Sequence, residues 1–102
     1  MKHYIFTLFL LFAGFCAQAH STIQGKVINA LTNEPVGNAS VSLNNGSRST
    51  ITDHHGNFEF KGLEAGTFTI RVSQLRFKTI TETLVLEENQ TQTLTIPFEE
   101  RL

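Results

Sequence analysis

Thr52-Asp53-His54-His55-Gly56-Asn57-Phe58-Glu59-Phe60 holds a tight turn and the start of a strand in one short run. Asp53 is placed to accept backbone N–H groups further along the turn, and Gly56 supplies a left-handed residue free of Cβ strain. Phe58 and Phe60 then alternate with Asn57, Glu59 and Lys61, the two-residue period of a strand with one buried face. The same unit of turn and strand recurs on both sides. Downstream, Gly62 to Gly66 is a loop with Leu63 turned inward and Gly66 as a turn residue. Phe68, Ile70 and Val72 next face the core, with Thr67, Thr69 and Arg71 outside. A longer strand from Phe77 to Leu86 puts Ile80, Leu84 and Leu86 on one side. Glu87 to Gln90 turns the chain into a last strand, where Leu94, Ile96 and Phe98 alternate with threonines. Upstream, Ser49 to Thr52 pairs back through Asn45-Gly46, a strong hairpin signal because both residues tolerate positive φ. Ahead of it, Ala39, Val41 and Leu43 alternate with Ser40 and Ser42. Asn29 to Pro35 is a loop, and Ile23 to Ile28 a first strand. Seven strands and no helix predict an all-β, antiparallel sandwich. Its predicted core is Val41, Phe58, Phe60, Phe68, Ile70, Val72 and Leu94.

The start of the chain reads as an export signal rather than as fold. Lys2 and His3 form a basic start, Tyr4 to Phe15 is an apolar run, and Ala17-Gln18-Ala19 is a small-x-small cleavage site. The run is too short to cross a bilayer, which takes about 20 residues. Cys16 is no lipidation site, because the bulky Phe15 precedes it. The expectation is a signal peptide over residues 1–19 and one domain over residues 20–102, with no membrane span in the mature chain. That mature part lacks cysteine, so no disulfide reinforces its small core. It carries seven Lys/Arg against nine Asp/Glu, no electrostatic footprint for nucleic acid or anionic lipid.

Gly25-Lys26-Val27, Glu34-Pro35-Val36, Ala39-Ser40-Val41, Thr52-Asp53 with Gly56-Asn57-Phe58, and Ala65-Gly66-Thr67-Phe68-Thr69-Ile70 together resemble the carboxypeptidase-regulatory-like, transthyretin-related β-sandwich domains. The resemblance spans Ile23 to Phe98. It implies a Greek-key sandwich of the prealbumin type. The chain departs from the family at Arg76-Phe77, where a glycine usually precedes the aromatic; a different turn is expected there. In metallocarboxypeptidases such a domain follows a zinc-dependent catalytic domain. In many TonB-dependent outer-membrane receptors it directly follows the signal peptide, ahead of plug and barrel. The position of this domain behind the cleavage site is similar to the receptor arrangement. The resemblance therefore implies export to the periplasm or outer membrane of a Gram-negative bacterium, with envelope proteins as partners.

Chemistry-bearing clusters are few. Asp53, His54 and His55 read as a solvated turn tip, since adjacent side chains point apart and share one ion poorly. His20, exposed as an N-terminus by cleavage, is half of a copper brace only if His54 or His55 completes it. Asn38, Asn45 and Asn89 open N-x-Ser/Thr sequons, which turn chemistry accounts for better than glycan attachment does. Glu87-Glu88 and Glu99-Glu100 are neighbours in a turn and a tail, the wrong geometry for paired-carboxylate catalysis. No catalytic, cofactor or metal residue is assigned. Leu75, Arg76, Lys78 and Arg71 are the candidate partner-binding residues, expected at one end of the sandwich. Asn45, Gly46, Asp53, Gly56 and Gly66 are structural turns. The expected function is a non-enzymatic docking domain that works through loops and an edge strand. The alternatives are a carbohydrate- or surface-binding module, a metal carrier and a spacer; the lack of Trp, and a lone Tyr in the signal, weigh against sugar.

Overall fold

A computed structural model describes residues 20–101; the export-signal reading of residues 1–19, including Cys16, lies outside them. The strands are β1 (Ser21–Asn29), β2 (Ser40–Leu43), β3 (Arg48–Ile51), β4 (Asn57–Leu63), β5 (Gly66–Gln74), β6 (Phe77–Leu86) and β7 (Thr91–Phe98). They form two sheets, ordered β4-β1-β7 and β3-β2-β5-β6. All pairings are antiparallel except one. β1 and β7 run parallel, in register from Thr22 opposite Thr91 to Asn29 opposite Phe98, which corrects the purely antiparallel expectation. At the strand starts the Ser21 hydroxyl donates to the Glu87 carbonyl (2.6 Å) and the Thr22 N–H to the Gln90 carbonyl (2.9 Å). These bonds hold the β6–β7 turn beside the first residues of β1, so β7 sets out from the same end as β1.

The alternating positions meet between the sheets. Ile23 and Val27 of β1, Val41 and Leu43 of β2, Phe58 and Phe60 of β4, Ile70 and Val72 of β5, and Ile96 and Phe98 of β7 are all buried. Phe68 and Leu94, placed in the core from sequence, are only half-buried and pack on its margin. Phe77 is buried although it is out of phase with Ile80. Val72 to Gln74 on β5 spans the stretch from Ile80 back to Phe77 on β6, so β6 carries one extra residue there. Such a bulge turns Phe77 inward, where its ring stacks on Phe98 at 4.8 Å.

The connections follow turn chemistry. Asn44, Asn45 and Gly46 all take positive φ (47°, 60° and 96°), so the β2–β3 hairpin closes through a longer loop than a two-residue Asn-Gly turn. The Asp53 carboxylate accepts from the N–H groups of His55 and Asn57, both at 2.9 Å. Gly56 has φ 78°, and a Cβ there would lie 2.5 Å from the Val27 carbonyl oxygen, so backbone proximity as well as φ demands glycine. Between these loops sits Thr52, buried. Its hydroxyl accepts from the Ala39 N–H and donates to the Val36 carbonyl, each at 2.9 Å.

Candidate functional site: an interaction surface at one pole

The loops gather at two poles. β1 ends, β5 turns into β6 and β7 ends at the same pole. There, β5 and β6 are joined by only Leu75 and Arg76, neither at positive φ. The missing glycine is thus accommodated by a short turn and the adjoining bulge. Leu75 is 91% exposed. The Arg76 guanidinium lies 3.7 Å from the Glu100 carboxylate, and the Lys78 ammonium 3.6 Å from Glu99. These are exposed pairs, each contributing about 0–1 kcal/mol.

A residue that pattern reasoning missed joins them. The Asn29 side-chain oxygen accepts from the N–H groups of Leu31 (2.8 Å) and Thr32 (3.3 Å), folding the start of the loop into a turn that lifts Leu31 outward. Leu31 is also 91% exposed. The Asn29 amide donates to Glu100 at 3.0 Å, the carboxylate that meets Arg76. Glu100 therefore ties the Leu31 loop to the Leu75 turn. The only sequence signal for Leu31 is an apolar side chain inside a run of turn formers.

Arg71 does not belong to this group. It lies mid-strand in β5, opposite Ser42 and Thr81 on the outer face of its sheet. The basic cluster is therefore Arg76 and Lys78, and both already have acidic neighbours. Of the predicted turn residues, Asp53 and Gly56 act as described, Asn45 and Gly46 share the three-residue left-handed run, and Gly66 opens β5 at φ 153° with open space beside it.

The remaining clusters hold little chemistry. Asn57 and His55, through their N–H groups, hold the Asp53 carboxyl below its ordinary range. The His54 and His55 rings lie 4.2 Å apart at the Val27 end of β1. His20 precedes the other end, about 20–25 Å away along an extended strand, which breaks the copper-brace geometry. Among the described residues, no three His, Cys, Asp or Glu side chains gather as metal ligands, and no helix is long and apolar enough to cross a membrane. Asn38, Asn45 and Asn89 have φ of 62°, 60° and 57°, a region asparagine enters more readily than most residues, which accounts for all three as turn formers. Gln24, Lys26, Asn57 and Glu59 of the β4-β1-β7 sheet, with apolar Ile51 of β3, Phe58 and Leu94, line an open groove of mixed polarity.

No curated protein matches the sequence. Solved structures share the fold. A candidate carbohydrate-binding protein of Bacteroides uniformis is 15% identical over 78% of this chain and 41% of its own, with a TM-score of 0.61. The pilus 2b backbone protein of group B streptococcus is 14% identical over 80% and 41%, with a TM-score of 0.67. BcpA, the major pilin subunit of Bacillus cereus, is 16% identical over 81% and 31%, with a TM-score of 0.64. This chain spans less than half the length of each. The model of the carboxypeptidase regulatory-like domain matches residues 22–99, and the chain belongs to that family.

Proposed function

We propose that this is an exported, non-enzymatic docking domain of the bacterial envelope, the N-terminal periplasmic domain of a TonB-dependent outer-membrane receptor or a free relative of one. The observation that carries the docking reading is the pair of leucines, each 91% exposed, on two turns joined through Glu100. Two apolar side chains displayed beside fixed charges make a surface that gains from being covered, because apolar anchors carry much of an interface's energy. Neither leucine supports the fold. The receptor context rests on reading residues 1–19 as an export signal. In many TonB-dependent receptors such a domain directly follows one, whereas in metallocarboxypeptidases it follows the catalytic domain.

The test is site-specific photocrosslinking in the producing cell, with the crosslinker at position 31, 75 or 59. Covalent adducts to one envelope protein from positions 31 and 75, and none from 59, are expected. Leu75→Asp with Leu31→Asp removes the adducts while the melting curve is unchanged. Equal labelling from all three sites, or none from the pole, overturns the reading. Mass spectrometry of the exported protein checks the His20 start.

A second reading, a carbohydrate-binding module, is favoured by the open groove that carries Gln24, Lys26, Asn57 and Glu59 and by the fold shared with the Bacteroides protein. Shifts of Gln24 and Asn57 side-chain amide resonances on adding oligosaccharides separate it from the first.

A further inference from the structure

Two open sheets leave four strand edges, and three are obstructed. β3 is only four residues long. Beside it, the Arg48 guanidinium donates to the Lys61 carbonyl on β4 (3.1 Å), and β4 carries Glu59, Lys61 and a left-handed Gly62. β7 contains Pro97, which has no N–H to offer. These are the usual ways in which natural sheets blunt an edge.

β6 differs. The tail of the chain already pairs onto the start of its outer edge. Glu100 bridges Phe77, the Lys78 N–H donates to the Glu99 carbonyl, and the Arg101 N–H donates to the Arg76 carbonyl, the last two at 2.8 and 2.9 Å. That edge therefore accepts an added strand, and the tail fills only its first residues. From Thr79 to Leu86 no backbone group has a partner on that side among the described residues. Every second residue there turns its N–H and C=O outward. Ile80 and Leu84, on the core-facing side, are left half-covered for want of a neighbouring strand. One charge interrupts that side. Glu82 stands opposite buried Ile70 yet is itself exposed.

We propose that the β6 edge from Thr79 to Leu86 receives an extended segment of a partner protein that places a basic residue beside Glu82. Backbone pairing supplies affinity in such strand addition, and alternate side chains supply selectivity. Apolar residues of the incoming strand cover Ile80 and Leu84, and its cation neutralises Glu82. The same carboxylate disfavours a second copy of this chain, whose β6 brings only another glutamate and no cation within the free stretch. The surface is separate from the Leu31–Leu75 pole and does not depend on it.

The probe is a short synthetic peptide in which valine alternates with threonine around one central lysine, with a glutamate-centred twin as control. Amide hydrogen exchange of the chain is followed residue by residue. The lysine peptide is expected to slow exchange severalfold at Thr79–Leu86, and the glutamate peptide much less. Glu82→Lys inverts that preference, and Glu82→Gln equalises it. Sedimentation of Glu82→Val, with the guard removed, shows self-association that the natural chain lacks. The proposal is overturned if neither peptide protects β6, if both protect it equally in the natural chain, or if the natural chain already self-associates through β6.

Discussion

Replacing Thr52 by valine keeps the shape of the side chain and removes only its hydroxyl. In the folded chain that hydroxyl serves two backbone groups, accepting from the Ala39 N–H and donating to the Val36 carbonyl, inside a region that excludes water. Each buried group left without a partner costs about 1–3 kcal/mol, so the pair loses about 2–6 kcal/mol. The added methyl returns about 0.8 kcal/mol. A net loss of about 3 kcal/mol is a large share of the roughly 4–12 kcal/mol that a domain of this size holds at about 0.05–0.15 kcal/mol per residue. With a urea slope of about 1–1.5 kcal/mol per molar, the unfolding midpoint falls by about 2–3 M. Thr52→Ser, which keeps the hydroxyl and gives up one methyl, loses only about 1 kcal/mol. A midpoint shift for Thr52→Val below about 0.5 M, or one no larger than that of Thr52→Ser, refutes the reasoning.

Gly56→Ala meets both a positive φ and the Val27 carbonyl, whereas Gly46→Ala meets positive φ in open space; urea melts should show a loss well above about 1 kcal/mol for the first and about 1 kcal/mol for the second. Phe77→Ala removes a buried ring stacked on Phe98 and should cost about 3–5 kcal/mol, while Phe68→Ala, at the half-exposed margin, should cost clearly less in the same assay. The folded state holds the Asp53 carboxyl below its unfolded range, so its contribution is complete above about pH 4 and is lost as pH falls from there. Acid titration of the urea midpoint should accordingly be less steep for Asp53→Asn than for the natural chain.

Local pattern carried far into this fold because each strand announces itself by alternation. Phe77 to Leu86 is read from sequence with the bounds the structure has. Asp53 and Gly56 were legible because an Asx-type turn needs a carboxylate at its start and a left-handed residue at its end. Alternation reports which face a residue is on, but not how far the opposite sheet extends over it; Phe68 and Leu94 face the core and remain half-covered for that reason. The parallel pairing of β1 with β7 joins residues at the two ends of the domain, beyond the reach of any local pattern. Thr52 looked like an ordinary strand residue because its two partners lie 13 and 16 residues away. At the pole, Leu75 and Arg76 were visible as an odd turn. Leu31 was hidden in a loop whose conformation depends on one hydrogen-bonding asparagine. Arg71 shares its charge with Arg76 and Lys78 but not their place, since strand position and not sequence proximity decides which residues are neighbours.

The parallel β1–β7 ladder also sets how the domain responds to a pull. Because the two strands start together, the chain enters at one pole and leaves at the other, roughly 30 Å apart for a nine-residue strand. Tension applied between those points slides β1 along β7, and the whole row of hydrogen bonds from Thr22 to Asn29 resists at once. An antiparallel pair loaded from its open end would yield one bond at a time. Along its own chain axis this small, cysteine-free sandwich is built to be stiff.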